Sequence, residues 1–162
     1  MIMTSPARET FSRITRGPEE TRRLGERIGW ELSGGEVLAL FGDLGTGKTT
    51  LVQGIAKGLG VQTPYVASPT FILVGTHFGR VVLHHIDLYR LEEAGQAEEL
   101  GLLDYVSSDA VAVIEWAERA LPLLPPERLT VSLKMLSEDD REITLSAEGA
   151  HYIELTRRIK AP

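Results

Sequence analysis

Val37-Leu38-Ala39-Leu40-Phe41-Gly42-Asp43-Leu44-Gly45-Thr46-Gly47-Lys48-Thr49-Thr50-Leu51-Val52-Gln53-Gly54-Ile55-Ala56-Lys57-Gly58-Leu59 is the stretch that decides the fold. An unbroken apolar run of this kind reads as a buried strand, and the amphipathic run after Thr49 reads as a helix. Between them lies G-x-x-x-x-G-K-[ST], which carries meaning only when a strand precedes it and a helix follows. Both flanks are present. Gly42, Gly45 and Gly47 can take positive φ and bring successive backbone N–H groups around an anion. Lys48 adds a point charge, and Thr49 opens the helix, whose free N–H groups and dipole favour a phosphate. Its hydroxyl is placed to ligate a phosphate-bound Mg²⁺.

Around this core the composition is ordinary for one globular domain. The chain has 162 residues, 43% hydrophobic and 25% charged, and we expect one domain over 1–162. A formal charge of -6 argues against a broad nucleic-acid face, although it leaves room for a local basic patch or a partner that binds. With no Cys, disulfides and thiolate metal sites are excluded. Met1–Thr10 has no signal-peptide core and no run approaches a membrane span, so a cytoplasmic location without membrane contact is expected. The chain lacks Asn and carries 13 Arg against 4 Lys, which fits a thermophile or equally a GC-rich genome.

Outward from the loop, residues 1–16 read as an edge strand or a loose terminus. Gly17-Pro18-Glu19-Glu20 is a helix start, and Thr21, Leu24, Gly25, Ile28 and Gly29 make its packing face. Its beginning lies where a bound base could sit. After the loop helix, Ser68-Pro69-Thr70-Phe71 reads either as a Pro turn into a strand or as a mobile segment bringing Thr70 toward a terminal phosphate. Phe71–Gly75 and Arg80–Asp87 form an expected hairpin about 76–79. His84 and His85 point to opposite strand faces and so do not chelate one ion together. Leu91–Val106 is an expected helix packing through Leu100, Leu103 and Val106, with Glu92, Glu93, Glu98 and Glu99 solvated.

Two carboxylates end apolar strands. Ala110-Val111-Ala112-Val113-Ile114-Glu115 has the continuous hydrophobicity of a strand buried on both faces, and Asp87 ends a less apolar one. Open α/β sheets bind ligands beyond the carboxyl ends of their strands. Both acids compete for the Walker B role. We assign the metal to Glu115, whose strand is the better central one, and a water-orienting or switch role to Asp87. Pro122–Pro126 is an expected surface loop, Leu129–Leu136 and Glu142–Ser146 an antiparallel hairpin, and Gly149–Ile159 a short closing helix with Ile153 on the core. The fold class is therefore α/β: a P-loop NTPase domain with a central mixed sheet, flanking helices and a C-terminal hairpin.

Gly42-Asp43-Leu44-Gly45-Thr46-Gly47-Lys48-Thr49-Thr50, Ser68-Pro69-Thr70-Phe71, His85-Ile86-Asp87-Leu88-Tyr89-Arg90-Leu91 and Glu115-Trp116-Ala117-Glu118 follow one another as successive motifs. In order and spacing they resemble the TsaE (YjeE) family across nearly the whole chain. The resemblance implies a small bacterial P-loop ATPase that works with TsaD-like and TsaB-like partners. Their product is the threonylcarbamoyl modification of adenosine 37 in tRNAs reading codons that begin with A, with tRNA contacted through the complex. By resemblance, Thr49 and Glu115 hold Mg²⁺. Leu44, Gly45, Thr46, Gly47, Lys48 and Thr49, with Thr50 after them, wrap the phosphates of ATP. Asp87 and Trp116 belong to the nucleotide site, and Glu118 and Arg141 match positions expected to contact ATP. Thr46 stands where many relatives have Ala, with no change of function expected.

The mechanism these residues suggest is ATP hydrolysis by positioning and electrostatics, with Lys48, Asp87 and Thr70 as the catalytic set. No arginine finger is evident, although Arg90 and Arg119 are candidates, so turnover is expected to be slow alone and faster with partners. Two rivals share the loop. A small-molecule kinase needs a substrate lid, for which the acidic 92–106 stretch is poorly charged; a nucleotide-dependent binding switch needs no useful turnover.

Overall fold

The strand that feeds the glycine loop is flanked on both sides by parallel neighbours within a seven-stranded mixed sheet. This is a computed structural model, which describes residues 7–62, 66 and 73–162. In chain order the elements are β1 (Arg8–Arg16), α1 (Pro18–Glu31), β2 (Val37–Phe41), α2 (Lys48–Gly58), β3 (Val74–His77) and β4 (Leu83–Asp87). There follow α3 (Ala94–Glu99), α4 (Leu102–Val106), β5 (Val111–Glu115), a 3₁₀ helix (Ala117–Leu123), β6 (Arg128–Met135), β7 (Asp140–Glu148) and α5 (Ala150–Lys160). The sheet order is β1-β7-β6-β2-β5-β4-β3. β6, β2, β5 and β4 run parallel, while β3, β7 and β1 pair antiparallel.

Continuous apolar sequence and double-sided burial go together here. Leu38, Ala39, Leu40, Ala112, Val113 and Ile114 are all buried, because alternate side chains of β2 and β5 enter two different cores. Leu38, Leu40 and Val113 meet α1, α2 and α5 on one face. Val37, Ala39, Ala112 and Ile114 meet the short helices and the 3₁₀ turn on the other. The α1 stripe is as its spacing predicts, with Thr21, Leu24, Gly25, Ile28 and Gly29 buried. α1 and α2 approach so closely that a Cβ on Gly25 would lie 2.3 Å from the Leu51 carbonyl oxygen, and one on Gly54 2.1 Å from that of Arg22. α2, which begins at the P-loop lysine, is thereby locked against α1.

Several elements differ in detail from the sequence reading. The 91–106 helix is two helices, because Gly101 takes a left-handed conformation (φ 82) that ends one and caps the next. This shifts the packing face: Leu91, Ala97 and Leu102 are buried and Val106 packs against the same core as expected, whereas Leu100 and Leu103 are exposed. The four expected surface acids Glu92, Glu93, Glu98 and Glu99 are indeed exposed. The β3–β4 turn lies further along the chain than 76–79, since Thr76 and His77 are laddered to His84 and Leu83. Arg80 is drawn out of the strand toward the end of α1, donating to the carbonyls of Leu32 (2.8 Å) and Gly29 (3.0 Å). Pro122 lies inside the 3₁₀ helix rather than in a loop. The edge-strand alternative holds for Arg8–Arg16, which pairs with β7, and β6 and β7 form the expected hairpin. In α5 the core side chains are Tyr152, Leu155, Thr156 and Ile159, with Ile153 only partly buried. Among the described residues no helix is long and apolar enough to cross a membrane.

Candidate nucleotide-binding site

Parallel β2, β5 and β4 end side by side, so the loop after Phe41 and the acids ending the other two strands converge on one edge. Leu40 is in register with Glu115, and Glu115 with Asp87. A cavity of about 420 Å³ opens there, lined by Leu44, Gly45 and Gly47 to Thr50 of the loop and by Asp87, Tyr89, Glu115 and Trp116. The loop needs its first glycine for a steric reason. A Cβ on Gly42 (φ 154) would stand 2.6 Å from Thr46 Oγ1 and 2.8 Å from the Leu133 carbonyl oxygen of β6. Gly47, in the left-handed region, turns the chain into α2 and presents that helix's N-terminal N–H groups to the cavity.

Lys48 is almost fully buried. Its ammonium donates to the carbonyl oxygens of Gly42 and of Asp43 (3.0 Å) and lies 4.1 Å from the centre of the Trp116 ring. Burial pulls its pKa below the ordinary lysine value, and the charges of Glu115, Glu118, Asp87 and Asp43 oppose that shift. Trp116 reaches this place through a left-handed backbone (φ 58, ψ 43), a conformation costing about 1 kcal/mol in a non-glycine residue. Tyr89 packs on Trp116 at 5.0 Å between ring centres, so two aromatic rings wall the lysine side of the cavity.

Opposite them, the Thr49 hydroxyl donates to both oxygens of Glu115, at 3.0 and 3.2 Å. Adjacent oxygen ligands of octahedral Mg²⁺ lie about 2.9 Å apart, from metal–oxygen distances of about 2.05 Å. A hydroxyl and a carboxylate already at that spacing are a donor set that fits this ion. Among the described residues no group of three His, Cys, Asp or Glu could hold a metal alone. Mg²⁺ is commonly bound by one or two carboxylates and completed by phosphate and water. Asp87 is also buried, and one of its oxygens accepts the Tyr89 N–H at 2.9 Å.

The remaining sequence-derived candidates divide. Thr46 and Arg141 lie on the far side of the loop, around a second cavity of about 160 Å³ that also touches Gly17, Pro18 and Thr21 at the start of α1. Arg141 donates to the Thr46 carbonyl (3.1 Å), the Gly45 carbonyl (3.3 Å) and the carbonyls of Ser137 and Glu138 (both 3.0 Å). It therefore ties the loop to the β6–β7 turn. Glu118 is exposed and does not line the larger cavity, though its charge reaches Lys48. Arg119 is anchored to the Leu91 carbonyl at 3.0 Å, and Arg90 is exposed. Thr70 and the rest of Ser68–Phe71 lie outside the described residues.

Two site residues were not singled out from sequence. Tyr89 lines the cavity, and His85 is fully buried with Nε2 donating to Glu115 Oε2 at 2.5 Å. Strand alternation holds the signal for His85, because residues 85 and 87 share a face and Asp87 is level with Glu115. His84, on the other face, hydrogen-bonds Thr76 at 3.1 Å and stacks edge-on against Tyr105. The two histidines do not converge on one ion.

Known proteins share both this sequence and this fold. A family model described as "Threonylcarbamoyl adenosine biosynthesis protein TsaE" matches residues 15–143. The tRNA threonylcarbamoyladenosine biosynthesis protein TsaE of Bacillus subtilis is 42% identical over 139 residues, 85% of this chain and 86% of that one. Its namesake in Treponema pallidum is 40% identical, covering 82% and 98%. The crystal structure of Bacillus subtilis YdiB superposes with a TM-score of 0.81 at 34% identity, covering 96% of this chain and 97% of that one. With a phosphate loop, two strand-end acids and a seven-stranded sheet lying inside these matches, the chain belongs to the TsaE family of threonylcarbamoyl adenosine biosynthesis proteins.

Proposed function

We propose that the protein is the Mg²⁺-dependent ATP-binding and ATP-hydrolysing subunit of a tRNA-modifying system. It serves threonylcarbamoylation of adenosine 37 in tRNAs that read A-starting codons, acts in the cytoplasm with TsaD-like and TsaB-like partners, and meets tRNA through them. The observation carrying this reading is the approach of the Thr49 hydroxyl to the Glu115 carboxylate, 3.0 Å apart at the mouth of a phosphate loop.

In this reading the residues work by holding and neutralising charge. Backbone N–H groups from Leu44 to Thr50 grip the phosphates. Lys48 leaves the Gly42 and Asp43 carbonyls and pairs with the β and γ phosphates, so binding exchanges one set of partners for a more highly charged one. Thr49 and Glu115 would hold Mg²⁺, which when bound would supply positive charge against the transferring phosphoryl group. Asp87, level with Glu115, orients the attacking water, with Thr70 as the alternative. The base lies toward the second cavity, beside Pro18 and Arg141. Because Arg119 is committed to the Leu91 carbonyl, the reading assigns it no arginine-finger role, and turnover rises when partners dock. The exposed acids between 92 and 99 disfavour a kinase lid for an anionic acceptor.

Reconstitution tests the proposal: the protein, ATP and tRNA are added to a matched TsaD and TsaB pair and modified tRNA is counted. We expect multiple rounds with the wild-type chain and none with Lys48→Ala. Unchanged modification with that variant would remove the assignment, and equal ATP turnover with and without partners would remove partner stimulation.

A further inference from the structure

We propose that His85 is a positioning residue for the Glu115 carboxylate, fixing which oxygen faces the metal; the inference rests on the Mg²⁺–nucleotide reading above. His85 is 0% exposed and Glu115 2%. Their contact, Nε2 to Oε2 at 2.5 Å, joins neighbouring strands whose residues 87 and 115 are in register. The last torsion of a glutamate is broad and two-fold, so a carboxylate held only by backbone placement can turn. Here the Thr49 hydroxyl sits between the two oxygens (3.0 and 3.2 Å) and leaves that rotation open. Of the two oxygens His85 contacts Oε2, which leaves Oε1, the oxygen nearer the Thr49 hydroxyl, outside the histidine's hold.

The other ring nitrogen points to the same role. Nδ1 of His85 is buried and has no hydrogen-bond partner among the described residues. A buried polar atom without a partner is costly, and an aliphatic residue would fill a strand interior without that cost. Among the described residues the contact with Glu115 is therefore the one hydrogen bond of this ring, and it is directed at the candidate metal ligand. Carboxylates that bind metals are commonly oriented by such outer hydrogen bonds, whose removal lowers metal affinity about 10–100-fold.

The test measures binding to the full chain rather than turnover. A non-hydrolysable ATP analogue is titrated by calorimetry in excess Mg²⁺ and in EDTA, for wild type, His85→Leu, His85→Gln and His85→Asn. A Gln amide nitrogen reaches about as far as Nε2, whereas an Asn amide nitrogen falls near Nδ1. We expect wild type to gain affinity on adding Mg²⁺ and His85→Leu to lose about 10–100-fold of that gain. His85→Gln should recover most of it and His85→Asn little, with EDTA affinities alike in all four. If His85→Leu keeps the full gain, or loses affinity equally in EDTA, or Gln and Asn behave alike, the positioning role is wrong. Should His85→Leu not fold, the Gln and Asn pair decides. A wild-type chain that binds the analogue but gains nothing from Mg²⁺ would instead overturn the metal reading itself, and this inference with it.

Discussion

Two glutamates sit at opposite ends of the central strands, both nearly inaccessible, and they are treated in opposite ways. Glu36, just before β2, is 1% exposed, and Glu115, at the end of β5, is 2%. Glu36 accepts from the Ser33 N–H at 3.1 and 3.2 Å, the Ser33 hydroxyl at 2.9 Å, the Gly34 N–H at 2.7 Å and His151 Nε2 at 3.0 Å. Burial works to raise its pKa, but His151 and the Ser33 and Gly34 donors outweigh it, and the carboxyl lies below its ordinary value. Glu115 takes no backbone donor among the described residues, only the two side chains Thr49 and His85. A buried carboxylate saturated by local backbone is a structural part, whereas one held by two long-range side chains keeps lone pairs for a ligand. On the proposed function, the same residue type and the same burial serve different ends.

Exchanging each acid for its amide should separate those ends. The largest effect is expected at Glu115→Gln: ATP turnover falls about 10²–10³-fold, comparable to removing one charge-stabilising group from an active site. The melting temperature should stay near wild type, and a large drop in stability would place Glu115 with Glu36 as a structural residue. Glu36→Gln should instead cost about 1–3 kcal/mol of stability and leave nucleotide affinity unchanged, as read by denaturant unfolding and calorimetry. Its pH dependence has a definite sign. Glu36 has a lowered folded-state pKa, so its contribution is full above the unfolded value of 4.5 and is lost as pH falls through the folded one. The gap between wild type and Glu36→Gln should accordingly narrow below pH 4.5. His151→Ala is the mildest, about 0.2–1 kcal/mol, because that ring is half exposed and its pairing with Glu36 is screened by solvent. An effect as large as that of Glu36→Gln would show that the histidine, rather than the 33–34 backbone, holds the carboxylate.

Legibility in the sequence follows the range of the forces involved. The apolar run ending in Glu115, the glycine loop and the α1 stripe were readable because burial and helix periodicity leave marks within a few residues. His85 was readable only as one of two histidines on opposite strand faces, since its partner is 30 positions away and the contact depends on the β4–β5 register. The break at Gly101 was missed because an acidic, Leu-containing segment keeps helical composition on either side of one left-handed glycine. Arg141 offers the same lesson. Its resemblance-based reading as an ATP contact says nothing of the five carbonyls, from the P-loop and the 137–140 turn, that it gathers.

The sequence by itself determined the buried strand, the glycine loop, the helix that follows it, and the family to which their spacing belongs. Local backbone geometry and amphipathic period are written in neighbouring residues. Tertiary structure alone decided that Glu115 rests between Thr49 and His85, that Trp116 lies over Lys48, and that Glu36 is closed off while Glu115 is not. Those outcomes depend on which strands become neighbours and in what register, and only packing of the whole chain selects them.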